Sequence, residues 1–282
     1  MPESKGEVYA KLERFNPTGT HKDRSLEPWI LFYKEKGEKE FVISSSGNSA
    51  LSAAKYCAET GMKLHVFVRE KISKEKLAKI QAYKNTEVKL SKTPRRDAIL
   101  FSKKNNIVNL RSSVDDLALD GYKSIAYELA EQMPSASNIF IPTSSGTTLE
   151  GIYLGYKEKG VKSPALYAVQ TSKVHPIANY FDKDFEKESA SLAEAIVDNI
   201  AHRRDRVIEA IKETGGGGYV VSNDELQEAR KILNVVGWEG EPPFSLAEIG
   251  WQSALSFAGF LKWKKAVLSD AEVKISVCLF TD

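Results

Sequence analysis

Residues 13–24 read ERFNPTGTHKDR and carry more information than any other stretch of the chain. An apolar strand candidate, VYAKL (8–12), ends just before them, a Pro/Gly turn follows, and a helix begins near Lys22. A lysine in this place has two readings. One is a solvated first-turn residue, although helix starts prefer acidic side chains. The other is an amine at the mouth of an α/β sheet, where it can form a Schiff base with an aldehyde. The local sequence alone favours the solvated lysine.

Apolar strand-like runs alternate with amphipathic helical stretches along most of the chain. Further strand candidates are 41–44, 64–68, 107–110, 138–142, 166–170, 219–221 and 274–280. Helix candidates are 23–36, 48–60, 71–84, 95–104, 121–132, 147–158, 192–200, 203–213, 223–234 and 245–260. Several strands are continuous apolar runs, which is typical of strands buried on both faces. The alternation predicts an α/β fold of doubly wound, mostly parallel sheets.

The composition is that of a globular protein. The chain has 282 residues, of which 42% are hydrophobic and 28% are charged. At about 150 residues per domain, this length predicts two domains, each able to bury a large core. Lysine and arginine total 40 against 38 aspartates and glutamates, a formal net charge of +2. This balance predicts no nucleic-acid partner and no attachment to a membrane surface.

The cysteines and the N-terminus indicate a cytoplasmic protein. Cys57 and Cys278 are too few for a disulfide framework and fit a reducing compartment. No apolar run approaches the roughly 20 residues of a membrane span. The first residues, MPESKGEVYAKLE, lack the apolar core of a signal peptide. No metal site is expected, because His65, His175 and His202 do not have the sequence spacing of metal-ligating histidines.

Two more loops join a strand to a helix and are rich in small hydroxyl residues. They are ISSSGNS (43–49) and PTSSGTT (142–148). Hydroxyls and backbone N–H groups at a helix start suit a carboxylate or a phosphate. The second loop lacks both the Walker ending and the dinucleotide glycine spacing, so a small monophosphate fits it better than a nucleotide. Because loops at the carboxyl ends of parallel strands meet at the ligand crevice, we expect both loops to lie near Lys22.

Together these motifs resemble the fold type II family of pyridoxal-phosphate-dependent enzymes, the tryptophan synthase β superfamily. Residues 13–24 resemble its lysine signature, and the form E-x-x-NPTG-[ST]-x-KDR is most similar to that of threonine synthases. SSSGNSALSAAKY (44–56) resembles the family's SSGN loop, and IPTSSGTTLEGIYLGY (141–156) resembles its phosphate loop. LDGYKSIAYELAEQM (119–133) and VCLFTD (277–282) follow in the family's order, so the resemblance covers nearly the whole chain.

The resemblance implies a role for each matching residue and replaces the solvated reading of Lys22. Lys22 would form the Schiff base with pyridoxal 5'-phosphate and take the α-proton of the substrate. Asn48 would bind the hydroxyl of the cofactor ring, and Thr281 would face the pyridine nitrogen. The cofactor phosphate would be held by Ser144, Ser145, Gly146, Thr147 and Thr148. The substrate carboxylate would be held by Ser45, Ser46, Gly47 and Ser49. Lys123 is either a ligand of a substrate phosphate or a surface cation.

The resemblance also implies how the chain is divided. Residues 24–125 would form the smaller N-terminal α/β domain, and residues 1–23 with 126–282 the larger domain that binds pyridoxal phosphate. The leading segment usual in the family is missing, and Thr281 is followed only by Asp282, so we expect both ends to be trimmed. A homodimer is a family expectation.

The expected function is that of a pyridoxal-phosphate-dependent lyase of amino-acid biosynthesis acting on a small amino acid. The threonine-synthase reaction, O-phosphohomoserine and water to threonine and phosphate, is favoured. A serine/threonine dehydratase or a cysteine-synthase-type β-replacement enzyme is the alternative. The combination of KDR with NPTG in the lysine signature disfavours the dehydratase. A degenerate homologue that binds the cofactor without turnover and a nucleotide-binding module are further alternatives.

Overall fold

The computed structural model describes residues 8–235, 249–267 and 274–281. The strands are β1 (Val8–Leu12), β2 (Glu40–Ser44), β3 (Lys63–Arg69), β4 (Thr86–Ser91), β5 (Val108–Asn109), β6 (Asn138–Pro142), β7 (Ala165–Thr171), β8 (Gly217–Val221) and β9 (Ser276–Phe280). The helices are α1 (Lys22–Glu35), α2 (Asn48–Thr60), α3 (Lys74–Gln81), α4 (Pro94–Asn105), α5 (Leu117–Gln132), α6 (Thr147–Lys159), α7 (Arg204–Glu213), α8 (Asn223–Val235) and α9 (Trp251–Val267). Short 3-10 helices span Glu13–Phe15 and Ala178–Tyr180.

The chain divides into two compact units, residues 15–122 and residues 1–14 with 123–282. Each contains one sheet, and all strand pairs described in both sheets are parallel. The α/β fold with parallel sheets that the sequence predicts is therefore confirmed. The domain bounds drawn from the resemblance, with a division at 24 and 125, stay a prediction.

The sheet of unit 15–122 has the strand order β4-β3-β2-β5 and helices on both faces. Alternate strand residues point to opposite faces. Phe41 and Leu64 belong to the larger core, which includes the apolar sides of α1 and α2. Val42 and Phe67 lie in a second cluster with Ala98 of α4. Burial on both faces explains why these strands read as continuous apolar runs.

The sheet of the other unit has the strand order β1-β9-β6-β7-β8. Helices α8 and α9 supply one core, which includes Phe140 and Cys278 from the sheet. Helices α6 and α7 pack against β7. Asn138 of β6 pairs with Ser276 of β9 and Phe140 with Cys278, and Thr281 directly follows β9 at the carboxyl edge.

Strand β4 was not predicted from the sequence. It lies at the edge of its sheet, where only β3 pairs with it. Its sequence TEVKLS carries the charged residues Glu87 and Lys89, whose side chains form an ion pair at 3.2 Å. An edge strand that is partly exposed does not need an apolar run, so it lacks the signal that identified the other strands.

The predicted helix 192–200 is wrong. Ala193 and Ile196 are buried and mimic helical spacing, but Ile200 is 71% exposed and no helix forms. Backbone donors of the segment bind side chains instead: Leu192 N–H donates to Asn223 Oδ1 at 2.9 Å. Side-chain acceptors of this kind compete with helical hydrogen bonds. Of the predicted helix 245–260, residues 245–248 lie outside the described residues.

Helix α1 crosses the start of α5 closely within unit 15–122. The Ser25 hydroxyl donates to the Ala118 carbonyl oxygen at 2.7 Å. Pro28 has no N–H to offer the Arg24 carbonyl, and Gly121 packs against that carbonyl. A Cβ on Gly121 would lie 1.7 Å from the Arg24 oxygen and 2.8 Å from the Ser25 Cα. The crossing therefore requires glycine.

We expect Gly121→Ala to lower the free energy of unfolding by at least about 2 kcal/mol, because the new methyl meets backbone that cannot move aside. This cost exceeds the gain of about 1 kcal/mol that alanine brings to a helix. Urea unfolding followed by circular dichroism measures the difference. The control is Gly217→Ala, whose Cβ would meet only the Tyr167 ring at 3.5 Å. Equal stability of Gly121→Ala and the parent would contradict the close crossing.

Candidate functional site

The segment Asn16–Gly19 forms the turn that presents Lys22. Gly19 N–H donates to the Asn16 carbonyl oxygen at 2.8 Å, and Gly19 has a φ of 76°. Asn in the first position, Pro in the second and Gly in the fourth are the residues that such a turn prefers. The NPTG of the lysine signature is thus explained by backbone geometry.

Asp23 ties this turn to helix α1. Its buried carboxylate accepts from the Thr18 N–H at 2.6 Å and from the Thr18 hydroxyl at 2.7 Å. A carboxylate in the first turn also interacts favourably with the helix dipole. The aspartate of KDR, which is the residue next to Lys22, therefore fixes the start of helix α1 on this turn. The lysine side chain is left available for chemistry.

Thr20 links the lysine segment to the serine loop. Its Oγ1 lies 3.3 Å from the Asn48 amide nitrogen and 3.4 Å from the Lys22 backbone N–H, both of which can donate to it. Thr20 is buried. The structure thereby brings the predicted residues Lys22 and Asn48 to one hydroxyl. Sequence reasoning missed Thr20, although its place between Gly19 and Lys22 was a signal.

Tyr122 contacts the side chain of Lys22. The Lys22 Nζ donates to the Tyr122 hydroxyl at 3.4 Å and lies 5.7 Å from the ring centroid. The His21 ring stacks on the same tyrosine with centroids 5.6 Å apart. Tyr122 and His21 are buried, and Lys22 is half-buried. The sequence offered no signal for this contact, which joins residues 100 positions apart.

The serine loop leaves the start of α2 open. Gly47 is the N-cap, and no side chain caps the helix. Ser46, Gly47 and Asn48 are exposed, and a Cβ on Gly47 would meet nothing within 4 Å. Ser45 and Ser49 are half-buried, and the Ser45 hydroxyl accepts from the Gly47 N–H at 3.3 Å. An uncapped helix start with space in front of it favours an anion such as a carboxylate.

The loop after β6 has a glycine that no other residue can replace. Gly146 has a φ of 92°, is the N-cap of α6, and has no side-chain cap. A Cβ there would lie 2.6 Å from the Val207 Cγ2 and 3.2 Å from the Ile177 Cδ1. Ser145 and Thr147 share a hydroxyl hydrogen bond of 2.8 Å. Thr147 and Thr148 are buried. The backbone therefore forms a cradle of the kind that binds phosphate.

Gln170 supports this loop from β7. Its amide nitrogen lies 3.1 Å from the Thr143 carbonyl oxygen and 3.3 Å from that of Ser144. Its Oε1 accepts from the N–H groups of Ile177 and Ala178, both at 2.8 Å. A buried amide with all these partners fixes the position of the loop relative to strand β7. Sequence reasoning missed Gln170, because one glutamine at the end of a strand carries no motif.

Ser144 is engaged by a neighbouring segment. Its hydroxyl accepts from the N–H groups of Val197 at 3.1 Å and Asp198 at 3.3 Å, and it donates to the Asp198 carboxylate at 3.3 Å. These contacts use the donor and both acceptor sites of the hydroxyl. The backbone of Ser144, rather than its hydroxyl, is therefore the part that is available to an anion.

A buried ion pair fixes α6 behind the loop. The Arg203 Nη1 lies 3.0 Å from the Glu150 Oε2, and their side chains are 1% and 6% exposed. The Arg206 Nε adds a contact of 2.9 Å to the Glu150 Oε1. Removing one partner from such a pair leaves a buried charge, which is strongly destabilising. The pair sets the position of α7, which carries the Val207 that abuts Gly146.

The remaining predicted residues belong to unit 123–282. Thr281 is buried and directly follows β9. Lys123 forms an ion pair with Glu158 of α6 at 2.9 Å, and its hydrogen bond lowers the pKa of the Glu158 carboxyl. The charge of Lys123 is thus already paired with a carboxylate, whereas a lysine that binds a substrate phosphate would have its charge available.

The donor sets fit pyridoxal phosphate. The aldehyde of the cofactor forms a Schiff base with an amine, which Lys22 supplies. The hydroxyl of the cofactor ring can accept a hydrogen bond from the Asn48 amide. A phosphate requires uncapped backbone N–H groups, which the cradle at Gly146 supplies. No group of three or more metal-ligating side chains occurs in residues 8–235, 249–267 and 274–281. The same described residues contain no helix long and apolar enough to span a membrane.

Two curated relatives extend over most of the chain. The threonine synthase of Methanocaldococcus jannaschii is 28% identical over 291 residues, which cover 98% of this chain and 69% of that protein. The threonine synthase of Bacillus sp. strain ULM1 is 29% identical over 237 residues, which cover 80% of this chain and 66% of that protein. The chain thus spans about two thirds of the length of the relatives it matches.

A solved structure and a family model complete the comparison. Maize serine racemase superposes with a TM-score of 0.78 at 18% identity, covering 98% of this chain and 83% of the racemase chain, which shows the fold. The family model for "Pyridoxal-phosphate dependent enzyme" matches residues 2–245. Because this match covers well over half of the sequence, the chain belongs to the family of pyridoxal-phosphate-dependent enzymes of fold type II, with pyridoxal 5'-phosphate as its cofactor.

Proposed function

We propose that this protein is a lyase of the threonine-synthase type, which converts O-phosphohomoserine and water into threonine and phosphate. The observation that carries the proposal is the similarity to threonine synthases over 98% and 80% of the chain. The anchoring of Asp23 on Thr18 supports it, because this contact joins the KDR and NPTG parts of the lysine signature.

The roles proposed for the chain's residues follow from their chemistry. Bound pyridoxal phosphate supplies an electron-withdrawing system that makes the α-proton of an amino acid acidic. Lys22 would hold the cofactor aldehyde, and its Nζ, released as a free amine when the substrate amine replaces it there, would take that proton. Asn48 orients the ring through its amide. The cofactor phosphate would be held by Ser144, Ser145, Gly146, Thr147 and Thr148, and Thr281 would be the partner of the pyridine nitrogen.

The serine loop is proposed to bind the substrate. Its uncapped helix start and its hydroxyls receive the α-carboxylate, at Ser45, Ser46, Gly47 and Ser49. Fixing the carboxylate orients the Cα–H bond toward the base, which is the geometric requirement of proton abstraction. Tyr122 is proposed to hold the Lys22 amine, since its hydroxyl accepts a hydrogen bond from Nζ.

One observation favours a second reaction. Lys123, the residue proposed for the substrate phosphate, is paired with Glu158. Dehydration of serine or threonine, and β-replacement on an activated serine, need no such phosphate ligand. A serine/threonine dehydratase or a cysteine-synthase-type enzyme is therefore the second candidate.

We further propose a cytoplasmic location, a homodimer, and the domain division 24–125 against 1–23 with 126–282. The buried free thiols of Cys57 and Cys278 support a reducing compartment. Burial raises the pKa of the Cys57 thiol to about 12 and that of the Cys278 thiol further, so neither thiol is reactive in the folded protein.

Lys22→Ala is expected to abolish covalent attachment of the cofactor. The protein is incubated with pyridoxal phosphate and reduced with borohydride, and the adduct is mapped by mass spectrometry. The parent should carry it on the peptide that contains residue 22. Lys34→Ala, on the exposed side of the same helix α1, is the control and should keep the adduct. An adduct that persists undiminished in Lys22→Ala would assign the attachment to another lysine.

Tyr122→Phe is expected to lower the rate of α-proton exchange about fivefold while cofactor attachment is kept, since one hydrogen bond is worth roughly 1 kcal/mol. Exchange into D₂O is followed by NMR at a series of pH values. A positioning role predicts a changed pH profile of exchange. Tyr83→Phe is the control, because Tyr83 only packs against the core. An unchanged rate and profile in Tyr122→Phe would exclude the role.

The reaction itself is tested by offering O-phosphohomoserine, serine, threonine and O-acetylserine with sulfide to the loaded enzyme. The expected products are threonine and phosphate from O-phosphohomoserine alone, detected by NMR. Ammonia and an oxo acid from serine or threonine would replace the proposal by the dehydratase, and cysteine by the β-replacement enzyme. Cofactor attachment without any product would indicate a degenerate homologue.

A further inference from the structure

A basic cavity of about 450 Å³ lies in the unit of residues 123–282, just after strand β7. Lys173, His175, Lys187 and Arg204 line it together with the amides of Asn179 and Asn199. This volume is within the usual range of small-molecule sites, roughly 300–1,000 Å³. None of the residues proposed above to bind cofactor or substrate lines the cavity, so it is a separate feature.

The two lysines of the cavity carry charges that no carboxylate pairs with in the described residues. No acidic residue lines the cavity, and within the described part of the chain Lys173 and Lys187 form no ion pair. Glu188 follows Lys187, but its carboxylate accepts from the Ser172 hydroxyl and from the Asn223 N–H at 3.0 Å. Converging cations in a concavity raise the local concentration of anions.

Arg204 is oriented within this wall. Its Nε donates to the Pro176 carbonyl oxygen at 2.9 Å, which fixes the plane of the guanidinium. Its Nη1 contacts Asp205 at 2.9 Å, but the Asp205 side chain is 92% exposed, so water screens that charge. The second terminal nitrogen keeps its donors. A planar, always charged donor group of this kind is suited to phosphate oxygens.

The floor of the cavity is rigid. The His175 Nδ1 lies 3.1 Å from the Thr171 carbonyl oxygen, which can only accept, so Nδ1 carries a proton. The Phe185 ring packs edge-on against the imidazole with centroids 4.4 Å apart. Val174 is buried, and its N–H donates to the Thr171 carbonyl oxygen at 3.0 Å. A fixed backbone lowers the cost of ordering the site when a ligand binds.

We infer that this cavity binds a phosphate dianion, either inorganic phosphate or the phosphoryl group of a small monoester. Three cations, two amide side chains and a preformed wall match the charge and the hydrogen-bond acceptors of such a group. Asn199 follows Asp198, whose N–H and carboxylate contact Ser144 of the loop after β6. A ligand that binds Asn199 would therefore affect the position of the segment that contacts the proposed cofactor cradle.

The test uses the protein loaded with pyridoxal phosphate, so that the cradle at Gly146 is already filled. Inorganic phosphate, glycerol 3-phosphate and glycerol are titrated by calorimetry at low salt. None of them has an amine, so binding does not depend on the proposed reaction. Both phosphates are expected to bind and glycerol is not. Tighter binding of glycerol 3-phosphate assigns the site to monoesters, and equal binding assigns it to the free anion.

The decisive variant is Lys173→Glu/Lys187→Glu, which reverses two exposed charges that form no ion pair. It is expected to weaken phosphate binding at least tenfold, because attraction becomes repulsion within the cavity. Lys162→Glu/Lys183→Glu makes the same change of net charge outside the cavity and should bind within twofold of the parent. Absence of binding in the parent, unchanged binding in the first variant, or equal loss in both variants would overturn the inference.

Discussion

Parallel strand pairing is the constraint on which the positions of the candidate residues depend. In a parallel sheet every strand ends at the same edge, so the loops that follow the strands are gathered there whatever their distance in sequence. In the larger sheet this edge collects the loop after β6, the segment after β7 and Thr281 after β9. In the smaller sheet it carries the serine loop after β2. The fold determines where these groups lie, and their side chains determine what they can bind.

Side-chain cap hydrogen bonds are absent from helices α1, α2, α4, α6 and α7, and of these only α2 and α6 have glycine at the N-cap. Helix α3 has an ordinary cap, the Ser73 hydroxyl, which accepts from the Lys76 N–H at 3.3 Å. Helices α2 and α6, which follow the two candidate loops, have glycine caps and no side-chain acceptor. Glycine in place of a side-chain cap costs only a few tenths of a kcal/mol per helix. The amides that a cap would have satisfied are those that an anionic group can use instead.

Local signals predicted most of the fold, but they do not reveal several contacts that surround the candidate site residues. Helix α2 and strand β6 lie where the sequence predicted them, because their ends are marked by Gly61 and by the Pro142–Thr143 junction. The helix predicted over 192–200 failed, because side-chain acceptors took its backbone donors. The contacts of Tyr122 with Lys22 and of Gln170 with the loop after β6 join distant parts of the chain. Neither contact has a local pattern, so periodicity cannot reveal it.

The order of strands has a consequence for how the protein is made. Residues 15–122 form a unit from one continuous stretch, whose contacts are complete once that stretch has been synthesised. In the other sheet β9, the last strand, lies between β1 and β6, with Leu12 paired to Phe280. Among the described strands of this sheet, β1 precedes all the others in the sequence, and its partner β9 follows them all, so the pair can form only after the intervening strands have been synthesised. Until then the backbone N–H and C=O groups of β1 have no partner strand in this sheet and are open to pairing with other strands.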